Sequence, residues 1–173
     1  MIKNTQVKLV TGLVRFANVH IHRAMVPVKG VSAKYSLTLI IPKSDAKTID
    51  SINAAFANVS ELNQKVFLGK SLVPFGLQDG DLKTDNANFV DCYYLNTSSS
   101  EKPGIVDRDL NPLIGINDLY DGCYGRASIT FFAYSLNGNA GIAVGLNNVQ
   151  KLKDAEKNQE ANSIFPNDGG GNV

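Results

Sequence analysis

The first chemically distinctive feature of this sequence is a run of bases that no acid interrupts. Seven lysines and arginines precede the first acidic residue, Asp45, so the N-terminal quarter carries a charge of +7 while the whole chain sums to only +1. These bases are Lys3, Lys8, Arg15, Arg23, Lys29, Lys34 and Lys43. The acids concentrate elsewhere, since residues 77–122 hold nine acids against three bases. Because anions respond to local potential, the separation predicts a surface for an anionic ligand; a solvated, lysine-rich sheet face is the alternative.

A second feature is a set of aromatic side chains on one predicted strand. Residues 123–135 alternate, so that Arg126, Phe132 and Tyr134 share one face while aliphatic residues take the other. The strand predicted to pair with it has almost no side chains on the matching face, where it carries Gly141, Ala143 and Gly145. Such an open surface could stack unpaired bases, each contributing about 1–3 kcal/mol. The alternative is that the rings only cover the glycines.

Motifs for catalysis or metal binding are weak. No phosphate-loop, dinucleotide, serine-elbow or zinc-finger spacing occurs. His20 and His22 would point the same way on a strand, as two metal ligands do, but no cysteine or carboxylate lies near them in sequence. Asp79 and Asp81 resemble the start of a calcium loop, yet Lys83 stands where an oxygen ligand is needed, so a turn is favoured. We therefore expect no enzyme activity, no metal and no other cofactor.

The composition fits one globular domain followed by a tail. Hydrophobic residues make up 43% and charged residues 19% of the 173 residues, which are globular values. No apolar run approaches the roughly 18–20 residues that span a bilayer, and the first six residues lack the apolar core of a signal peptide. Cys92 and Cys123 show no CxxC spacing, which indicates reduced thiols in a cytoplasm. We expect residues 1–152 to form the domain and residues 153–173 a flexible polar tail.

Strand signals dominate the domain. Strands are predicted over residues 5–16, 33–41, 88–97, 123–135 and 141–149, with a bulge or bend at Thr11 and Gly12. Residues 18–30 are typical of a long loop or a partly frayed hairpin. Asn137 and Gly138 give the signal of a tight hairpin turn between the last two strands.

One amphipathic helix is predicted after the second strand. Ser44 can cap it, Asp45 suits the positive end of its dipole, and an apolar stripe follows that includes Ile52, Phe56 and Val59. Residues 60–68 can form a second short helix. Five strands with such helices predict a mainly β protein, a five-stranded OB-type barrel with one or two capping helices. A β-sandwich is the competing architecture.

Five segments of the chain, taken together, carry a family resemblance. They are RFANVHIHRAMV, KYSLTLIIPKSD, LQDGD, KPGIVD and LYDGCYGRASITFFAYSLNGNAGIAVGLNNVQKLKD, in order from about Arg15 to Asp154. They resemble a bacteriophage family, once of unknown function, that is grouped with phage replication single-stranded DNA-binding proteins. The resemblance implies an OB-type barrel that coats single-stranded DNA during phage replication and recombination, without catalytic residues.

The residues and the resemblance together predict a non-catalytic, sequence-tolerant single-stranded DNA-binding protein of a phage or prophage, acting in the bacterial cytoplasm. Phosphates are expected at Lys8, Arg15, Arg23, Lys34 and Arg126, and bases at some of Tyr35, Tyr94, Tyr124, Phe132 and Tyr134. RNA binding or strand annealing is one alternative, and a phage structural or protein-interaction module is another. Partner proteins of replication and recombination could dock on the tail, for example at residues 164–166. The sequence leaves monomer and homodimer open.

Overall fold

The structure is a computed structural model that describes residues 5–26 and 33–156. Its strands are β1 (Val7–Val10), β2 (Val14–Met25), β3 (Lys34–Pro42), β4 (Ser71–Leu72), β5 (Gln78–Asp79), β6 (Cys92–Ser99), β7 (Gly104–Val106), β8 (Tyr124–Leu136) and β9 (Asn139–Lys153). Its helices are α1 (Ala46–Leu62) and α2 (Gln64–Phe67), and two 3-10 turns span Gly80–Leu82 and Ala87–Phe89.

Five of the strands close into a ring. β2 pairs with β3, β3 with β6, β6 with β9 and β9 with β8, and β8 returns to β2. Counted in chain order, the ring strands are β2, β3, β6, β8 and β9. The fifth of them, β9, therefore lies between the third, β6, and the fourth, β8, as in an OB-type barrel. β1 continues the edge of the ring beside β8, and β4, β5 and β7 are short additions. The predicted mainly β, OB-type barrel is confirmed.

The longest pairing in the barrel is the hairpin of β8 and β9. Asn137 and Gly138 both have positive φ, 52° and 81°, and Leu136 pairs with Asn139 across them. A two-residue loop with two positive φ values is the turn that matches the twist of a hairpin, so the predicted turn is confirmed. Ala127, Ile129, Phe131 and Ala133 are buried in the main core, as strand parity predicts.

The strand near the N-terminus is interrupted where the sequence predicts it. Val10 pairs with Ser128 and Val14 with Gly125, so three residues of one strand oppose two of the other. Residues 18–25, predicted as a loop or frayed hairpin, belong to β2, which pairs with β3 as far as Met25 and Lys34. The third predicted strand begins later than expected, at Cys92, because Ala87–Phe89 form a 3-10 turn.

Helix α1 covers the barrel core. Ile52, Phe56 and Val59 are buried in it, and the Phe56 ring meets the Phe131 ring edge-on at 4.9 Å between centroids. The N-cap is Asp45, whose carboxylate accepts a hydrogen bond from the Thr48 backbone N–H. The expected cap, Ser44, was therefore wrong by one residue. An Asp side chain at this position meets a free backbone donor of the first turn.

The predicted tail begins as a continuation of the barrel. β9 ends at Lys153, and Asp154, Ala155 and Glu156 make hydrogen bonds to tyrosines of the barrel. Residues 157–173, including the expected docking segment 164–166, lie outside the described residues, as do Lys3 and Lys29. Among the helices that are described, none has the length and apolar character to cross a bilayer.

Candidate nucleic-acid interface

A groove of about 830 Å³ runs over the outer face of the barrel. Its residues come from β1, β3, β6, β8 and β9 and from the positions just before β1 and just after β6: Gln6, Lys8, Lys34, Ser98, Ser99, Ser100, Thr130, Phe132, Tyr134, Ser135, Leu136, Ala143, Gly145, Leu146 and Asn147. Four of the ten sequence-predicted contact residues, Lys8, Lys34, Phe132 and Tyr134, thus come together. The lining contains two cations and no acid.

Strand register explains why these four residues meet. Lys8 pairs with Thr130 on β8, two residues from Phe132 on the same face. Lys34 begins β3, whose neighbour β6 brings Ser98 opposite Gly145 of β9. The groove therefore lies mainly over β8 and β9, as far as Leu136 near the tip of their hairpin, and it touches the second and third barrel strands at Lys34, Ser98 and Ser99. The second and third strands and the loop between the last two are where OB-type barrels bind oligonucleotides.

The two aromatic rings lie against the small residues of β9 and are also accessible. A Cβ atom at Gly141 would stand 2.9 Å from Tyr134 Oη, and one at Gly145 would stand 3.4 Å from Phe132 Cε1. Both rings are half-buried and line the groove. The two rings therefore cover the small residues of β9 and at the same time remain open to the groove.

A third cation, Lys70, lies at the rim of the groove. Its Nζ atom donates a hydrogen bond to Ser135 Oγ. Ser71, the next residue, is held on the hairpin by a backbone hydrogen bond from its N–H to the Gly138 carbonyl, at 3.0 Å. No sequence pattern points to Lys70, because it follows the helices and reaches the groove only through the pairing of β4 with β9.

Arg15 and Tyr124 form a separate depression of about 250 Å³. The Arg15 guanidinium stands 4.9 Å from the centroid of the Tyr124 ring, and its Nε donates to the Gly122 carbonyl at 2.9 Å. Lys153 Nζ is 4.5 Å from the same centroid, and the Tyr124 hydroxyl donates to Glu156 at 3.0 Å. Burial, helped by that carboxylate, raises the pKa of Tyr124. This ring is thus already engaged by protein groups.

The remaining four predicted residues lie outside the groove. Arg126 is exposed on the same face of β8, but six residues along from Phe132, and its Nε donates to Gln150 Oε1 at 2.9 Å. Tyr94 packs edge-on against Phe89, with 5.3 Å between centroids. Tyr35 is half-buried and has the strand parity of the core residues Leu37 and Leu39, and Arg23 is exposed on β2.

Lys43, the last of the seven early bases, is neutralised by two acids. Its Nζ atom lies 2.7 Å from Asp81 and 2.9 Å from Asp79, at the 3-10 turn. These hydrogen bonds raise the pKa of Lys43 and lower the pKa of both carboxyls. The predicted turn at Asp79 is confirmed, with an ammonium group in the place where a calcium loop would hold its ion.

The two histidines do not form part of a metal cluster within the described ranges. No three metal-binding side chains come together there. His20 is exposed and pairs with Ser36 across β2 and β3. The Nε2 atom of His22 is buried and has no hydrogen-bond partner among the described residues.

A closed five-stranded barrel with a cationic, aromatic groove on its outer face has the features of proteins that hold single-stranded nucleic acids. Similarity to known proteins shows which family of such proteins the chain belongs to. Residues 7–164 match the model of the family described as Enterobacter phage Enc34, ssDNA-binding protein, and the chain belongs to that family. A curated relative, protein p50 of Acyrthosiphon pisum secondary endosymbiont phage 1, is 30% identical over 132 residues, which cover 71% of each chain.

Solved structures show the same fold. The single-stranded DNA-binding protein of bacteriophage Enc34, in complex with ssDNA, matches with a TM-score of 0.71 and 22% identity, over 86% of this chain and 88% of that chain. The protein gp2.5 of bacteriophage T7, also a single-stranded DNA-binding protein, matches with a TM-score of 0.61 and 11% identity, over 96% and 98%.

Proposed function

We propose that this protein binds single-stranded DNA without catalysis and with little dependence on sequence, during phage DNA replication and recombination in the host cytoplasm. One observation carries the proposal: Phe132 and Tyr134 share an open groove with Lys8 and Lys34. Unpaired bases stack on rings while cations hold the phosphates. Membership of the Enc34 family supports the same conclusion.

The groove suits single strands better than a duplex. Its rings offer flat surfaces to bases whose faces are free, and such contacts contribute about 1–3 kcal/mol per base whatever the base is. A duplex keeps its bases stacked on each other, so only the phosphates would remain to be held. We therefore propose that the rings give the preference for single strands and the lysines give affinity for the backbone.

Fluorescence anisotropy with labelled oligo-dT across a salt series tests the proposal. We expect tight binding at low salt and a log–log slope near −0.7 for each phosphate neutralised on a single strand. A matched duplex should bind more weakly at the same salt. Absence of oligo-dT binding at low salt would contradict the proposal and favour a phage structural or protein-interaction module. Competition with a matched RNA strand decides between DNA and RNA, because 2′-hydroxyl contacts distinguish them.

We also propose a division of the chain into domain and tail, and protein partners for the tail. We propose that residues 1–152 form the binding domain and that the tail, residues 153–173, docks replication or recombination proteins of phage or host. A homodimer is proposed through the strand edges that lie outside the closed ring, such as that of β1. Sedimentation of the full chain with and without oligo-dT measures the oligomeric state.

A further inference from the structure

A smaller cavity, of about 240 Å³, opens beside the groove. We call it the side pocket; its lining includes Phe56, Phe75, Gln78, Asn96 and Tyr134. Ser98, Tyr134 and Ala143 line the groove as well. A strand that follows the groove therefore passes the mouth of the side pocket.

The walls of the side pocket are aromatic and held in place. Phe75 is 36% exposed, and its ring stacks on the buried Phe56 ring at 5.6 Å with an interplanar angle of 16°. The segment before Phe75 is fixed to the hairpin, because the Val73 N–H donates to the Ala140 carbonyl at 2.7 Å. Tyr134 forms the wall shared with the groove. Flat rings in fixed positions are what a nucleobase stacks against.

Asn96, which lines the side pocket, has its side-chain oxygen engaged and its amide nitrogen free among the described residues. The Asn18 amide donates to Thr38 Oγ1 at 3.2 Å, and the Thr38 hydroxyl donates in turn to Asn96 Oδ1 at 2.8 Å. The side-chain oxygen of Asn96, Oδ1, is thereby engaged. Its amide nitrogen has no partner among the described residues, and the side chain is exposed. Asn18 has a positive φ, 49°, at a register shift of β2 that brings it beside Thr38.

Gln78 has the same arrangement on another strand. The Tyr94 hydroxyl donates to Gln78 Oε1 at 2.6 Å, so the oxygen is occupied, and within the described part of the chain the amide nitrogen is unpaired. This gives Tyr94 a role that its side-chain type did not predict. Its hydroxyl orients the Gln78 amide, while its ring packs against Phe89. Each of the two amides therefore keeps its nitrogen free to donate a hydrogen bond to a ligand.

We propose that the side pocket holds one unpaired base and favours thymine. Thymine presents two carbonyl oxygens and no amino group, so it can accept from Asn96 and Gln78 while its ring stacks beside Phe75. Cytosine has an amino group in place of the second carbonyl, and adenine has no carbonyl, so each forfeits at least one of these two hydrogen bonds. The inference rests on the proposed function and adds a preference at one position of the bound strand.

Competition between oligo-dT and an oligomer of 5-methyl-deoxycytidine tests the preference. The two bases share ring size and methyl group; 5-methylcytosine has an amino group in place of the O4 carbonyl and an unprotonated N3 in place of N3–H. We expect the protein to bind oligo-dT about fivefold more tightly, the effect of one hydrogen bond lost. Asn96→Ala and Gln78→Ala should each move the ratio toward one. Asn58→Ala, on the exposed face of α1, is the matched control and should leave the ratio unchanged.

Photocrosslinking gives an independent readout. An oligo-dT carrying one 5-iodouracil should crosslink to the peptide that contains Phe75. Mass spectrometry of peptides from the full-length protein locates the crosslink. Equal affinity for the two oligomers, with no crosslink at Phe75, would overturn the proposal that the side pocket holds a base, but it would leave the proposed function intact. Failure to bind either oligomer would overturn the proposed function itself. If Asn96→Ala does not fold, Gln78→Ala provides the same measurement.

Discussion

The ring of Tyr134 lies over the backbone of Gly141, its partner across β8 and β9. A Cβ atom at Gly141 would come within 2.9 Å of the Tyr134 hydroxyl oxygen and 3.1 Å of its ring carbons. The absence of a side chain at Gly141 therefore sets the depth at which this ring sits in the groove. Phe132 has more room, with 3.4 Å from Cε1 to a Cβ atom at Gly145.

Gly141→Ala should weaken binding of oligo-dT several-fold while leaving the fold intact. The added methyl group pushes the Tyr134 ring away from the sheet, and alanine costs little in a strand, where glycine is entropically unfavourable. Gly145→Ala is the matched control, because its contact with Phe132 is an ordinary van der Waals distance. Anisotropy titrations and thermal unfolding measure the two effects separately. Equal affinities of both variants would show that the depth of the ring is unimportant.

Leucine in place of either ring separates stacking from covering. Phe132→Leu and Tyr134→Leu keep apolar atoms over β9 but remove the flat surface. We expect each to lose affinity by about 1–3 kcal/mol, or roughly 5- to 150-fold, with a small change in unfolding temperature. If both variants bind oligo-dT like the original chain, the rings serve only as cover. A titration at fixed low salt is the measurement.

Strand parity could predict which residues face outward but not which of them meet. Parity placed Phe132 and Tyr134 on the outer face, and the structure confirms it. An outward residue can lie anywhere around a barrel, however, and only the pairing of β1 with β8 brings Lys8 beside these rings. Arg15 is equally basic, but it is turned toward Gly122 and Tyr124. Such long-range contacts leave no local signal in the sequence.

The fold was predictable where local chemistry decides it. The turn at Asn137 and Gly138 needs two positive φ values, which these residue types adopt readily. The start of β6 was predicted too early because Phe89 is apolar and resembles a strand residue. In the structure it is buried at the end of a 3-10 turn, against Tyr94. The short strands β4, β5 and β7 depend on pairing partners far along the chain, and two or three residues carry no periodicity.

Removing a groove lysine should flatten the salt dependence of binding. Lys8→Ala and Lys34→Ala are each expected to reduce the log–log slope by about 0.7, because one fewer counterion is displaced from the strand. The double variant should lose about twice that. Lys47→Ala, exposed on α1, is the control and should leave the slope unchanged. An unchanged slope in the double variant would place the phosphates elsewhere.

Lys43→Met should lower stability near neutral pH and have little effect in acid. The Lys43 hydrogen bonds lower the pKa of Asp79 and Asp81, so their stabilising effect is present above the usual carboxyl pKa of about 4. It is lost as pH falls through the lowered values in the folded state. Urea midpoints at pH 7 and at about pH 2.5, with Lys47→Met as control, measure the difference. A deficit of equal size at both pH values would instead assign the stabilisation to the contact of Lys43 with the Tyr93 ring, at 5.1 Å.

Arg126 tests how far the bound strand extends along β8. It shares the outer face with Phe132 but lies six residues away, roughly 20 Å along the strand at about 3.3 Å per residue, beyond the lining of the groove. A short oligomer that fills the groove cannot reach it, whereas a longer strand that follows β8 can. Arg126→Ala should therefore weaken binding of an oligo-dT of about 16 nucleotides more than one of about 5, the two spanning the usual site sizes of an OB-type barrel.

Gln150→Ala is the companion variant, because it frees Arg126 from its hydrogen bond without removing the charge, and it should keep the affinity for the longer oligomer. An equal loss of affinity for both lengths in Arg126→Ala would contradict this path. The guanidinium would then affect the groove only by stabilising β8, and the DNA would leave β8 before it reaches Ser128.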